Sequence, residues 1–154
     1  MAFITNKTNF YIPGVIFLIL ILVAYKKRGL ALIIACAAFV GLNDFIGHEV
    51  LKETIQRPRP CHVLPDFQHI GNCSTSFSFP SNHAGNLFTA ATLMTLCFRN
   101  LAFIAYTCAL LVSYSRIYLG LHYPSDILGG AICGIVFGIL GYLFYKQIRK
   151  FLKA

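Results

Sequence analysis

The sequence predicts an all-α fold: a polytopic membrane bundle of about five transmembrane helices, or six with a further short one. Three observations predict it. Hydrophobic residues make up 57% of the 154-residue chain and charged residues 12%, about half the charge of an ordinary soluble domain. Mean hydropathy is +0.69. The apolar residues also fall into long runs divided by short basic or polar clusters, the pattern of spans joined by loops. The length suits one integral membrane domain, residues 1–154.

The spans follow in order. The first covers 10–25, where Pro13 is tolerable in a first turn. Lys7 and the apolar stretch after it imitate a secretion signal. The basic cluster comes after that stretch, however, and no small-residue cleavage pattern is present, so it reads as a retained helix. The second span covers 30–47 and continues as helix towards Arg57. The third covers 81–98, the fourth 101–118 and the fifth 124–145. On the fifth, Gly130, Gly134 and Gly138 form a small-residue face. That face packs on a helix of the same chain, leaving a monomer, or else on a second copy in a homodimer.

Net charge is +8, but its placement argues against a nucleic-acid partner. Lys26, Lys27 and Arg28 form one cluster, and Lys146, Arg149, Lys150 and Lys153 another, both at span ends. With these and Arg99 on the cytoplasmic side, eight of the 13 Lys/Arg lie inside, as the positive-inside rule requires. The C-terminus is then cytoplasmic. Lys52, Arg57, Arg59 and Arg116 fall on the opposite face, in the stretches richest in His, Pro and Asp.

Three polar islands share that face. In KETIQRPRP, residues 52–60, Lys52 and Arg59 are two helical turns apart, and Pro58 and Pro60 end the helix near Arg57. Arg59 then leads an extended segment that bends back. In FPSNHAGN, residues 79–86, Ser81 is an N-cap before an apolar run. The open N–H groups of that helix suit an anion, and His83 lies in its first turn. In SRIYLGLHYPSD, residues 115–126, Pro124 and Asp126 suit a first helical turn. Asp126 can accept the N–H of His122 and set which ring nitrogen is free. Singly, each island also reads as an interfacial helix end. Together they supply three cations, two histidines, a carboxylate and a helix N-terminus, which suits phosphoryl transfer.

These residues resemble the type 2 phosphatidic acid phosphatase family, the lipid phosphate phosphatases that share a fold with vanadium haloperoxidases. The family pattern is K-x6-R-P, then P-S-G-H, then S-R-x5-H-x3-D. The chain has Lys52 with Arg59-Pro60, then Pro80-Ser81-Asn82-His83, then Ser115-Arg116, His122 and Asp126. The match covers residues 52–126. Asn82 stands where the family has glycine; asparagine tolerates a left-handed turn better than most residues, and its side chain would crowd the phosphate or add a donor to it. The resemblance implies that His122 attacks phosphorus, Asp126 orients it and His83 protonates the leaving oxygen. Lys52, Arg59, Ser81, Asn82 and Arg116 then hold the phosphate. It implies no metal and no cofactor.

Cys61 and Cys73 flank the outer loop and suit a disulfide on an oxidising face. With His62 and His69 they would otherwise form a zinc set, of uncommon spacing. Cys36, Cys97, Cys108 and Cys133 lie in apolar runs. Val63, Leu64, Phe67, Ile70, Phe77 and Phe79 are the natural contacts for a lipid tail. The expectation is thus a lipid phosphatase of the bacterial inner membrane with a periplasmic site. Its candidate substrates are undecaprenyl pyrophosphate, lipid A 1-phosphate, phosphatidylglycerol phosphate and phosphatidate. The alternatives are a lipid phosphotransferase using the same site and a non-enzymatic carrier of anionic lipid.

Overall fold

A computed structural model describes residues 11–64 and 73–153, and the described residues form helices joined by loops, with no strand among them. The helices are α1 (Tyr11–Phe45), α2 (Glu53–Ile55), α3 (Pro60–Val63), α4 (Asn82–Cys97), α5 (Ala102–Tyr118) and α6 (Pro124–Phe151). Among the described residues, three stretches are long and apolar enough to cross a membrane: Ile12–Val63, Arg99–Tyr118 and Pro124–Phe151.

The first two expected spans lie together in α1, which is broken at Lys26 (φ 49°, ψ −124°). The chain doubles back there. Phe17 and Leu18 line one apolar cavity with Ala37 and Val40, residues that a straight helix would hold about 30 Å apart. Gly29 lies against the Ile21 carbonyl, so closely that a Cβ would overlap it. Residues 1–10, with Lys7 and Phe10, lie outside the described part.

Beyond Phe45 the α-helix does not run on to Arg57. It widens into a π-helix, Ile46–Lys52, adds α2, and ends at Gln56 in a left-handed conformation (φ 50°). A π turn shifts the residues after it around the axis. Lys52, its last residue, is only 4% exposed. Arg59 is extended (φ −76°, ψ 153°) and leads into α3.

The helix α4 is the centre of the bundle, touching α1, α5 and α6. Its inward residues are small or short: Ala84, Gly85, Thr89, Ala91 and Thr92. The glycines of α6 complement them. A Cβ at Gly138 would lie 2.6 Å from the Thr92 Cβ, and one at Gly134 2.8 Å from the Phe88 Cβ. Gly130 lies against the Ser81 carbonyl in the same way. The small-residue face is therefore occupied within the chain and is not the surface through which a second copy would dock. The helix α6 also runs past residue 145, to Phe151. Its last turns carry Arg149 and Lys150 near the negative end of the dipole, and Lys146 lies over the Tyr142 ring.

Two apolar clusters fill the bundle. Ala84, Phe88, Ala91, Ala105, Ala109 and Ala131 pack between α4, α5 and α6. Ile21, Leu32, Leu93, Phe98 and Tyr145 pack between α1, α4 and α6. Outward apolar side chains such as Phe103 and Leu128 are largely exposed, as expected where lipid rather than water is the solvent.

Candidate active site

The site is built where α6 begins. Pro124 opens that helix, and Asp126 in its first turn accepts the Tyr123 N–H through Oδ2 at 2.9 Å. Asp126 is fully buried. Its Oδ1 accepts from Arg57 Nη1 at 2.8 Å, an ion pair in which Arg57 also donates to Ser125 Oγ at 2.7 Å. The Arg57 guanidinium stacks over the Tyr123 ring, 4.0 Å from its centroid.

One residue before that cap lies His122, 4% exposed. Its Nδ1 is 3.4 Å from Asp126 Oδ2, an electrostatic contact slightly long for a hydrogen bond. Its Nε2 is 3.2 Å from Arg59 Nη1. A guanidinium can only donate, so Nε2 carries the lone pair and the proton lies on Nδ1, facing the carboxylate. Burial holds the imidazole below its ordinary value of 6.5. Asp126 pulls it back up, while Arg59 and Lys52 push it down. The ring is thus a neutral base with its free nitrogen aimed at cations.

Arg59 is itself fixed on three sides. Nε donates to the Ser76 carbonyl at 2.8 Å, Nη2 to Ser76 Oγ at 3.0 Å, and Nη1 to the Leu121 carbonyl at 3.0 Å. The segment that holds it is pinned in turn. Ser78 N–H donates to the Arg57 carbonyl at 2.8 Å, and Ser78 Oγ to that of Pro58 at 3.2 Å. The sequence reading passed over this serine segment. The sequence marks it only by the alternation of Ser74, Ser76 and Ser78, in a loop where Ser74 Oγ accepts from the Ser76 N–H at 3.3 Å.

The N-terminus of α4 meets that of α6. Ser81 Oγ accepts from the Ala84 N–H at 3.5 Å, and the Ser81 N–H donates to the Asp126 carbonyl at 3.0 Å. His83 is exposed in the first turn of α4. Asn82 starts that helix. It needs no left-handed turn, since among the described non-glycine residues only Lys26, Gln56 and Lys153 have positive φ. Its side chain neither crowds nor faces the other site residues but binds Asp44.

Lys52, Arg59 and Arg116 are all buried. Lys52 and Arg116 each lie within electrostatic reach of Arg59. The Nε of Arg116 has no hydrogen-bond partner among the described residues. The one buried carboxylate nearby, Asp126, is already paired with Arg57. Asp44 lies within electrostatic reach of Lys52, and Asp126 within that of Lys52 and Arg59. The buried cations still outnumber the carboxylates, an imbalance that is costly unless an anion meets it. Of the residues singled out from the sequence, His122, Asp126 and Arg59 are in direct contact. Lys52 and Arg116 surround them, and Ser81, Asn82 and His83 supply the helix end. Arg57, which lies outside the motif positions, is the carboxylate's partner.

Cys61 and Cys73 form a disulfide, with Cα atoms 6.3 Å apart. It joins α3, just after Arg59, to the serine segment. His62 Nε2 lies 3.3 Å from Cys73 Sγ and 3.0 Å from the Ser74 carbonyl. His69, Phe67 and Ile70 lie outside the described residues. Val63 and Leu64 are about half exposed, and the Phe79 ring packs against Gly129.

Comparison with known proteins bears on the family and the fold. The chain is 35% identical over 131 residues to the lipid A 4'-phosphatase of Bacteroides thetaiotaomicron, covering 80% of this chain and 57% of that protein. It is 31% identical over 143 residues to the undecaprenyl-diphosphatase of Sulfolobus acidocaldarius, covering 89% of this chain and 67% of that one. The crystal structure of a transmembrane PAP2-type phosphatidylglycerolphosphate phosphatase from Bacillus subtilis superposes with a TM-score of 0.61 at 29% identity. It covers 95% of this chain and 73% of that one. The chain spans somewhat over half the length of the first of these relatives. A family model of the PAP2 superfamily matches residues 27–150, and with it the whole constellation around His122: the chain belongs to the PAP2 superfamily.

Proposed function

We propose that this protein is a membrane lipid phosphatase that hydrolyses a phosphate monoester or diphosphate of a lipid through a phosphohistidine at His122. The observation that carries the reading is the buried Nε2 of His122. It is unprotonated and backed by a buried carboxylate, with buried Arg59 in contact and buried Lys52 within electrostatic reach. The names of the relatives support the reaction class.

In the first step the Nε2 lone pair attacks phosphorus while the bond to the lipid oxygen breaks. Asp126 stabilises the proton that stays on Nδ1, and His83 gives its proton to the leaving oxygen. In the second step His83 takes a proton from water, the water oxygen attacks phosphorus, and the N–P bond breaks to release inorganic phosphate. Lys52, Arg59, Arg116, the Ser81 hydroxyl and the backbone N–H groups around Asn82 meet the charge of the equatorial oxygens. No step requires a metal.

On this reading the chain is one domain of five spans in a bacterial inner membrane. The site is on the periplasmic face and the basic C-terminus in the cytoplasm. Undecaprenyl pyrophosphate, lipid A 1-phosphate, phosphatidylglycerol phosphate and phosphatidate are the substrates to test. The experiment is phosphate release by purified protein in detergent with EDTA, over those four lipids, with His122→Ala as control. Release that the control lacks is the expected result. Release that persists in His122→Ala removes the nucleophile. Transfer of the phosphoryl group to a second lipid, in place of release, makes the protein a phosphotransferase.

A further inference from the structure

Asp44 is the only acidic residue of α1, in a stretch apolar enough to cross a membrane. Its side chain is exposed near the end of that helix and lies within electrostatic reach of Lys52. Its bonds converge on the first two turns of α4. Asp44 Oδ1 accepts from Asn82 Nδ2 at 3.0 Å and from Asn86 Nδ2 at 2.8 Å, and the Asp44 carbonyl also accepts from Asn82 Nδ2, at 3.2 Å. Asn86 Oδ1 accepts in turn from Nδ2 of the buried Asn43 at 2.7 Å. An amide has two N–H bonds. Both of Asn82's go to Asp44, which leaves none for a phosphate. Its other end, Oδ1, is buried against Gly47, where a Cβ would lie 2.9 Å away. Gly47 belongs to the π-helix that ends in Lys52. One side chain at the start of α4 therefore touches both the segment that delivers Lys52 and the carboxylate that anchors α4.

We propose that Asp44 and Asn82 form a positioning pair for the phosphate site. The pair fixes the separation between the π-helix bearing Lys52 and the helix end bearing Ser81 and His83. Neither side chain touches the phosphate. Glycine at position 82, as in the P-S-G-H pattern, has no group with which to make this tie, so Asp44 is the matched partner of the departure. The proposal rests on the phosphatase reading for its rate measurements and not for its binding measurements.

The test compares wild type with Asp44→Ala, Asp44→Asn, Asn82→Gly and the double variant Asp44→Ala/Asn82→Gly. It reads kcat/KM on the lipid phosphate that wild type hydrolyses best, affinity for inorganic phosphate by calorimetry, and thermal unfolding in the same detergent. Asp44→Ala and Asn82→Gly should each lower kcat/KM about tenfold or more and weaken phosphate binding in step, as small misplacements do. Their unfolding temperatures should stay near wild type. Asp44→Asn keeps an acceptor for both amides and should remain within about threefold of wild type, and the double variant should be no worse than the poorer single, because both break one tie. Wild-type rates and affinities in Asp44→Ala and Asn82→Gly overturn the proposal. So do losses that multiply in the double variant, or an Asp44→Asn as poor as Asp44→Ala. If Asp44→Ala does not fold, Asn82→Gly decides, and wild-type behaviour there overturns the pair. A wild type that binds phosphate but hydrolyses no lipid sinks the phosphatase reading alone, and the phosphate affinities then decide the pair. A wild type that binds no phosphate overturns both.

Discussion

His122 carries two opposing demands at the scale of one residue. In the proposed mechanism it must be neutral to attack and must tolerate positive charge once phosphorylated. Burial serves the first, keeping the imidazole below 6.5, and Asp126 serves the second. The acid limb of the pH–rate profile should therefore have its midpoint below 6.5. Protonation of Nε2 removes the nucleophile, and burial makes that protonation require a lower pH. Asp126→Asn removes the contact that favours the charged ring, so the limb should move further down in pH while kcat falls by about 100-fold or more. A limb that moves up would show that Asp126 does not act on His122 in this sense. Arg57 belongs to the same chain of dependence. Arg57→Ala leaves one oxygen of a fully buried carboxylate without its cation and should lower kcat about tenfold or more. Arg57→Lys should recover only part of that, having lost the stack on Tyr123.

At the scale of elements, the site depends on two helix ends meeting, and that depends on glycine. The seam between α4 and α6 places the Ser81 N–H on the Asp126 carbonyl. Gly134→Val would put a branched side chain where even a Cβ lies 2.8 Å from the Phe88 Cβ. It should lower stability by about 1–3 kcal/mol or more and reduce turnover with it, measured by thermal unfolding and phosphate release. Gly41→Ala has open space around its Cβ and should be neutral or stabilising by roughly 0.5–1 kcal/mol. The disulfide is the other fastening. Cys61→Ser with Cys73→Ser would free the serine segment that grips Arg59. Stability should fall by about 2–4 kcal/mol, and kcat/KM should fall beyond what partial unfolding accounts for. Equal kcat/KM in the folded fraction would show that the grip does not need the bridge.

The whole molecule separates two kinds of positive charge. Lys146, Arg149, Lys150 and Lys153 line a concavity at one end of the bundle, while Lys52, Arg59 and Arg116 are buried at the other. The first group reports orientation, the second chemistry. A cysteine placed at Lys153, in a background with Cys36, Cys97, Cys108 and Cys133 replaced, should react with an impermeant maleimide only from the cytoplasmic side. Reaction from the periplasmic side would invert the topology and bring the site to the cytoplasm. In the proposed mechanism side-chain cations meet the phosphate charge, so release should be unchanged by EDTA, and a loss restored by a divalent ion would reassign the chemistry.

Composition and spacing sufficed for much of this. The apolar runs specify helices because lipid leaves the backbone no other partner. The glycine spacing specifies a close helix contact, and the three motifs name His122, Asp126, Arg59, Lys52 and Arg116. What the sequence did not show was where residues distant along the chain would meet. Nothing in the order of residues says that Arg57 would take the carboxylate, although Arg59 fits the motif. Only the left-handed turn at Gln56 and the return of the serine segment decide it. Nor does periodicity mark the π-helix, since an apolar helix in lipid has no single hydrophobic face to reveal a change of register. Asn82 looked like an intrusion into a phosphate cradle because its partner, Asp44, is 38 residues away. By itself the sequence determined the elements and the chemical inventory, because both follow from local preference and from the solvent. Only the tertiary structure decided which charges pair and which stay open to an anion, because burial and distance are properties of the packed bundle.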